Sequence, residues 1–306
     1  MGRIAFVFAG QGAQFPGMGK QLYDSRAEAR ELFDSYEKEF PGLRSLCFEG
    51  SEDDLKKTEI TQPCMYAVET AVYAVLTAEG VKAEAMAGFS LGEISALCAS
   101  GAVSPEEGFR LVFSRGTAMS KAAAAHPAAM AAVVKLTAEQ TEEICSGIAE
   151  AYPVNYNCPG QTVVSCAEDS LPALTAAVKA AGGRALPLKV SGGFHSPFMD
   201  DAAAEYGEAL GTAEISAPKI TLYSNVTGKP YPGDPGTVRT LLKDQITSPV
   251  RWEDTIRDMT AAGFDTFVEI GPGKTLCGLI GKIDPGLKTL QACGPEDIAE
   301  IINALG

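Results

Sequence analysis

The sequence predicts an α/β fold: a parallel sheet covered by helices on both faces, with a small β-α-β-β-α-β unit set into it. Three observations lead there. Short apolar runs at 3–8, 83–87, 220–224 and 266–270 each end in a turn bearing glycine or asparagine. Helical patterns separate these runs, and apolar strands alternating with helices favour a parallel sheet buried on both sides. From 130 to 190 the order becomes strand, helix, strand, strand, helix, strand. That is the ferredoxin-like pattern, which can fold as its own subdomain.

Each element follows from its residues. Arg3-Ile-Ala-Phe-Val-Phe8 is a buried strand entering the loop Ala9-Gly10-Gln11-Gly12. Helical spacing covers 62–79. The strand 83–87 leads into Gly88-Phe89-Ser90-Leu91-Gly92-Glu93 and a helix over 94–99. An amphipathic helix is predicted over 105–125, with Ser104 placed to cap it. In the inserted unit, 130–136 is a strand and 137–150 a helix opened by the capping box Thr137-x-x-Gln140. Strands at 154–157 and 162–167 are parted by Cys158-Pro159-Gly160-Gln161. A helix at 170–181 is stopped by Gly182-Gly183, and 184–190 is the last strand. The expected division is therefore 1–127 and 196–306 for the large domain, and 128–195 for the small subdomain.

The chain has 306 residues, 46% of them hydrophobic, enough for a substantial core. No apolar run reaches the ~18 residues that would span a bilayer. The first apolar run is too short for a signal-peptide core, so a cytoplasmic protein without membrane association is expected. Eight cysteines without C-x-x-C spacing, and only two histidines, argue for buried reduced thiols and against a metal site. A formal net charge of −14 argues against nucleic acid as a partner. An acidic partner would need a local basic patch.

The strongest local signal is Gly88-Phe89-Ser90-Leu91-Gly92 between a strand and a helix, the setting of a nucleophile elbow. Flanking glycines allow the sharp turn, and the helix N-terminus offers free N–H groups to a developing oxyanion. An ordinary glycine-containing strand-to-helix loop would read the same way. A serine nucleophile needs a base, and only His126 and His195 are available. His126 precedes Pro127 at a helix end. His195 lies in the glycine-flanked loop Ser191-Gly-Gly-Phe-His195 that joins the small unit back to the large one, and an inter-domain cleft is where a site would form. His195 is thus the better candidate. A standard α/β-hydrolase is disfavoured because no histidine follows residue 195. Gly273-Lys274-Thr275 lacks the first glycine of a phosphate loop, and Gly10-Gln11-Gly12 lacks the third glycine of a dinucleotide fingerprint.

Six segments in order carry a wider likeness: Phe8-Ala-Gly-Gln-Gly-Ala-Gln14, Gly88-Phe-Ser-Leu-Gly-Glu93, Ser114-Arg-Gly-Thr-Ala-Met119, Asn155-Tyr-Asn-Cys-Pro-Gly-Gln161, Gly193-Phe-His-Ser-Pro197 and Gln245-Ile-Thr-Ser-Pro-Val-Arg-Trp252. Together they resemble the malonyl-CoA:acyl-carrier-protein transacylases and the acyltransferase domains of fatty acid and polyketide synthases. The resemblance spans essentially the whole chain. It implies a hydrolase-like large domain with the ferredoxin-like insertion, Ser90 as nucleophile and His195 as general base. It also implies that a backbone carbonyl near Gln245 orients the imidazole, that the N–H groups of Gln11 and Leu91 form the oxyanion hole, and that Arg115 grips the malonyl carboxylate. Asn157 is implied, less strongly, to face the coenzyme A or pantetheine channel. Leu91 and Phe194 are of the types found in malonyl-selective members. One position departs: the residue before the nucleophile is commonly histidine in the family and is Phe89 here, which makes the pocket wall more apolar.

The expected partners are malonyl-CoA and an acyl carrier protein, with the coenzyme A thioester as a substrate and no resident cofactor or metal. A monomer is expected. Lys189, Lys274 and Lys282 are candidates for docking the acidic carrier protein. Two other classes stay open: a serine thioesterase or esterase of unusual triad order, and a catalytically silent module that binds the carrier protein.

Overall fold

Alternation along the first strand, Arg3–Phe8, shows how the chain is organised. A computed structural model describes residues 2–190 and 192–305; Met1, Gly306 and Ser191, which opens the glycine-flanked loop, lie outside the described residues. The strands are β1 (Arg3–Phe8), β2 (Ala85–Gly88), β3 (Ala128–Val134), β4 (Ala151–Cys158), β5 (Gln161–Ala167), β6 (Arg184–Pro187), β7 (Thr221–Leu222), β8 (Phe264–Ile270) and β9 (Lys288–Ala292). Ala5 and Val7 of β1 pack with Trp252, Ile256 and Ile280, whereas Phe6 and Phe8 pack with Met65, Val68 and Val72. Successive side chains of a strand point to opposite faces, so the sheet holding β1 is buried on both sides.

That sheet has the order β7-β2-β1-β8-β9, and every pairing in it is parallel. Helices Thr58–Ala78 and Pro105–Ala125 cover one face, and Trp252–Ala261 and Thr275–Ile283 the other. The second sheet has the order β4-β5-β3-β6, with every pairing antiparallel. Its helices, Ala138–Ser146 and Leu171–Ala180, pack on one face around Val133, Val164, Leu174 and Val178. On the other face Met130, Ala132 and Val163 join the core of the large sheet. The element order and strand order of this unit are the ferredoxin-like ones expected from the sequence.

Local signals hold where side-chain chemistry is explicit. Ser104 caps helix Pro105–Ala125 by accepting from the Glu107 N–H at 3.1 Å. The Thr137/Gln140 capping box is present in both directions. Other elements differ in extent. Helix Thr58–Ala78 begins before Gln62 and runs through Pro63, because residues 61–72 are buried throughout and that packing outweighs the ~3 kcal/mol a proline costs inside a helix. The strand expected over 184–190 stops at Pro187, which has no N–H to give; Leu188 adds one bond to the Met130 carbonyl at 2.8 Å. The strand expected over 220–224 shrinks to β7, since the chain folds back there, with Ser224 N bonded to Lys229 O and Tyr231 N to Leu222 O. β9 was not expected: Lys-Thr-Leu-Gln-Ala has one large apolar residue, and its pairing with β8 supplies what its pattern lacks.

The topology places the site. Phe8 at the end of β1 pairs in register with Gly88 at the end of β2. The Gln11 loop and the Ser90 turn therefore leave the sheet side by side at its carboxyl edge, where open parallel sheets form their crevices.

Candidate active site

Ser90 sits between β2 and helix Gly92–Ala99 with φ of 54°, a left-handed conformation that a side chain adopts only under constraint. The flanking glycines are required sterically. A Cβ on Gly88 would lie 2.0 Å from the Gly92 carbonyl carbon, and one on Gly92 would lie 2.3 Å from the Phe8 oxygen. Asn225, in the turn after β7, pins the elbow: its Oδ1 accepts from the Ser90 N–H at 2.7 Å and its Nδ2 donates to the Gly88 carbonyl at 2.6 Å.

His195 also has positive φ, 61°, and its ring reaches across the cleft to Ser90. Nε2 lies 2.7 Å from Ser90 Oγ, and Nδ1 lies 2.8 Å from the main-chain oxygen of Gln245. A carbonyl only accepts, so Nδ1 carries the proton and the Nε2 lone pair faces the hydroxyl. His195 is buried, and burial, followed by the nearby Arg115 charge, pushes its pKa down to about 4. The imidazole is therefore neutral at physiological pH, with its Nε2 lone pair able to accept a proton. His126, the other histidine, is half exposed and pairs with Asp201 at 2.9 Å.

Arg115 lies on helix Pro105–Ala125 and is fully buried. Nη1 donates to Gln62 Oε1 at 2.9 Å; Nη2 donates to Gln245 Oε1 at 2.8 Å and to Ser90 Oγ at 3.1 Å. Nε has no partner, and among the described residues no carboxylate forms an ion pair with the guanidinium. Burial brings its pKa down to about 10, which leaves it cationic at neutral pH. Beneath the elbow, buried Glu93 accepts from the Asn225 N–H at 3.1 Å, from the Tyr231 hydroxyl at 2.6 Å and from Gln245 Nε2. Its pKa is raised to about 7, because burial outweighs those bonds.

A cavity of about 110 Å³ opens onto the Ser90 hydroxyl and the His195 ring, lined by Gln11, Ser90, Leu91, Phe194, His195 and Gln62 among others. At ~30 Å³ per water, that is room for a short acyl group. No hydrogen-bond acceptor meets the N–H groups of Gln11 and Leu91 among the described residues, so both are available to a bound oxygen. Phe89 forms part of the wall and packs edge-on against Trp252, with ring centroids 5.6 Å apart. Asn155 is in the cavity lining; Asn157, two residues along β4, is outside it and buried with Oδ1 unpaired. A larger cavity of 1140 Å³ around Tyr73, Cys98 and Ile215 shares no residue with this one. All eight cysteines are free, and burial pushes Cys98 up to about 11 and Cys145, Cys277 and Cys293 up to about 12, so these four thiols do not compete as nucleophiles.

The structure thus gathers Ser90, His195, Gln11, Leu91 and Phe194 at one cavity, while Arg115 and Gln245 lie outside its lining and reach Ser90 and His195 through hydrogen bonds. Four further residues were not singled out from the sequence: Gln62, Glu93, Asn225 and Tyr231. Glu93 stood inside the quoted elbow segment, but nothing local distinguishes a buried glutamate in a helix first turn from a solvated one. Gln62, Asn225 and Tyr231 come from distant segments and acquire meaning only through the contacts above.

Residues 5–282 match the acyl transferase domain family. The chain is 38% identical to the malonyl CoA-acyl carrier protein transacylase of Bacillus subtilis, over 100% of this chain and 98% of that protein. The crystal structure of the malonyl CoA-acyl carrier protein transacylase of Clostridium perfringens superposes with a TM-score of 0.95 at 36% identity, covering 99% of this chain and 97% of that one. A malonyl-transacylase in complex with its type II polyketide synthase acyl-carrier protein superposes with a TM-score of 0.95 at 32% identity, covering 99% of each chain. All three are transacylases, and the thioesterase alternative finds no support among them. With the sheet order, the elbow and these matches in agreement, the chain belongs to the acyl transferase domain family.

Proposed function

We propose that this protein transfers the malonyl group of malonyl-CoA to the phosphopantetheine thiol of an acyl carrier protein through a malonyl-Ser90 intermediate. One observation carries the assignment of the site: Ser90 Oγ lies 2.7 Å from His195 Nε2 on one side and 3.1 Å from Arg115 Nη2 on the other. The first contact activates the hydroxyl. The second places a buried cation just beyond the acylated oxygen, where the carboxylate of a three-carbon diacid would lie.

The reaction is a double displacement. His195 Nε2 takes the Ser90 proton as Oγ attacks the thioester carbonyl. The N–H groups of Gln11 and Leu91 receive the oxyanion, a contribution of roughly 10²–10³ in rate for one such donor. The thioester C–S bond breaks, and the coenzyme A sulfur leaves with the proton from His195. The carrier thiol then enters, loses its proton to His195 and attacks the serine ester, and Ser90 Oγ recovers that proton. Arginine suits the malonyl carboxylate because its planar fork gives two parallel bonds. The groups assembled at the site come from one chain, so a single copy suffices. The free thiols fit a reducing, cytoplasmic setting.

Intact-mass measurement after exposure to a panel of acyl-CoAs, followed by holo carrier protein, tests this reading. Malonyl-CoA should add one malonyl group, located on Ser90 by peptide mapping; carrier protein should remove it, and Ser90→Ala should show no adduct. An acyl group on a cysteine or another serine would refute the assignment.

A further inference from the structure

Glu93 takes part in none of the steps above and hydrogen-bonds none of the Ser90 hydroxyl, His195 and Arg115 among the described residues. Its two oxygens accept three donors from distant segments: Asn225 N, Tyr231 Oη and Gln245 Nε2. Two of those partners reach the reacting groups. Asn225 holds the Ser90 N–H at 2.7 Å. Gln245 donates from Nε2 to the Ser90 carbonyl at 2.9 Å, accepts at Oε1 from Arg115 Nη2 at 2.8 Å, and accepts at its main-chain oxygen from His195 Nδ1 at 2.8 Å. A carboxamide has a donor end and an acceptor end of the same shape, and its partners alone decide which end points where. In the ionised form of Glu93 its oxygens only accept. Facing them and the Ser90 carbonyl, Gln245 turns its NH₂ inward and its oxygen towards Arg115.

We propose that Glu93 is a positioning residue for acyl transfer: it orients the Gln245 carboxamide so that Oε1 holds Arg115 Nη2 against the Ser90 hydroxyl. Tyr231 and the Asn225 N–H fix Glu93 in turn. The inference rests on the reading of Arg115 as partner of the malonyl carboxylate. It predicts that a residue touching no substrate atom sets the preference between a charged and an uncharged acyl group.

Glu93→Gln keeps the shape and replaces one acceptor by a donor. The new amide keeps its oxygen with Asn225 N and Tyr231 Oη, where two donors converge. Its NH₂ then confronts the NH₂ of Gln245, which turns over and presents a donor to Arg115. In single-turnover acylation with malonyl-CoA and acetyl-CoA, the ratio of second-order rate constants should fall by at least ~10-fold towards acetyl, the size of one lost hydrogen bond to a charged group. A purely structural role would lower both substrates together; that result, or an unchanged ratio, overturns the proposal. If Glu93→Gln fails to fold, Tyr231→Phe decides: removing one donor from Glu93 should shift the ratio the same way by a smaller factor, and no shift overturns the proposal. Arg115→Ala in the same assay keeps the two readings apart. A ratio that ignores Arg115 brings down both, whereas one that responds to Arg115 but not to Glu93 or Tyr231 brings down this proposal alone.

Discussion

Replacing Arg115 by alanine removes a fully buried cation that reaches Ser90 Oγ at 3.1 Å. Its other contacts are the side-chain oxygens of Gln62 and Gln245, both neutral, so in the free enzyme its charge has no direct counter-ion among the described residues. On the proposed reading, the malonyl carboxylate supplies one. Truncating one side of a buried, hydrogen-bonded charge pair typically loses ~2–5 kcal/mol. At ~1.4 kcal/mol per decade, kcat/KM for malonyl-CoA should fall from about 30-fold to several thousand-fold. Acetyl-CoA has a methyl group in place of the carboxylate and should lose far less, because the hydroxyl, imidazole and oxyanion donors remain. The substitution also leaves two buried amide oxygens without their donor, at ~1–3 kcal/mol each, so the melting temperature should drop for both assays alike. The decisive quantity is therefore the malonyl-to-acetyl ratio, measured on protein shown to be folded. Equal losses on both substrates would refute the carboxylate reading and make Arg115 a structural residue.

His195→Ala should slow acylation and deacylation each by at least ~10²-fold, the low end for general-base catalysis, while His126→Ala, on the exposed Asp201 pair, should change little; the reverse ranking in stopped-flow assays would show the wrong histidine was chosen. With its pKa pushed down to about 4, His195 stays a base well below neutrality, so kcat/KM for acetyl-CoA should decline only as pH falls towards 4; a single transition at the ordinary histidine value would contradict the burial argument. Charge reversal at exposed Lys189, Lys274 and Lys282 should raise KM for the carrier protein and leave that for malonyl-CoA nearly unchanged; an equal effect on both would exclude docking there. Glu69 is fully buried with no well-formed hydrogen bond to either oxygen among the described residues, and burial raises its pKa well above the carboxylate range, against a lowering by nearby Ser95 and with Glu269 adding to the shift. The folded state then keeps a proton that the unfolded chain gives up, so this group's contribution to stability falls as pH rises above the unfolded value of ~4.3. Glu69→Met should raise the melting temperature, more at pH 8 than at pH 5; a loss of stability at pH 8 would mean that the carboxyl has a partner.

Legibility in the sequence followed the range of the forces involved. The capping box at Thr137, the cap at Ser104 and the glycines around Ser90 are local constraints, and local letters reveal them. The ferredoxin-like order was readable because six short elements follow one another without interruption. β9 was not, since its pairing with β8 comes from outside its own pattern, and neither was the fold-back after β7, which is held by main-chain bonds that no side chain announces. The site divides the same way. Ser90 announces itself through its turn and His195 through scarcity, whereas Gln62, Asn225 and Tyr231 are ordinary polar residues until the sheet brings residue 225 within 2.7 Å of residue 90. Gln245 was singled out for its carbonyl, and that contact is present, but its side chain carries as much of the geometry.

If Arg115 receives the substrate carboxylate as proposed, the spacing between Glu93 and Arg115 accounts for how a buried arginine stays receptive. Had the two met directly, the incoming carboxylate would have to break a buried ion pair, and stripping one partner from such a pair typically loses 3–5 kcal/mol. Here the Gln245 carboxamide stands between them, donating to Glu93 and accepting from Arg115. The guanidinium is thereby fixed in direction while its charge stays uncompensated at close range, and burial brings its pKa to about 10 without neutralising it. Burial, followed by that same charge, holds His195 near 4 and keeps the imidazole neutral. On the proposed reading, one cation serves two ends: it adds to burial in keeping the base unprotonated, and it rewards an acyl group that brings its own carboxylate. An uncharged acyl group gains only the first. Selectivity, on that same reading, follows from holding a buried positive charge one amide away from Glu93.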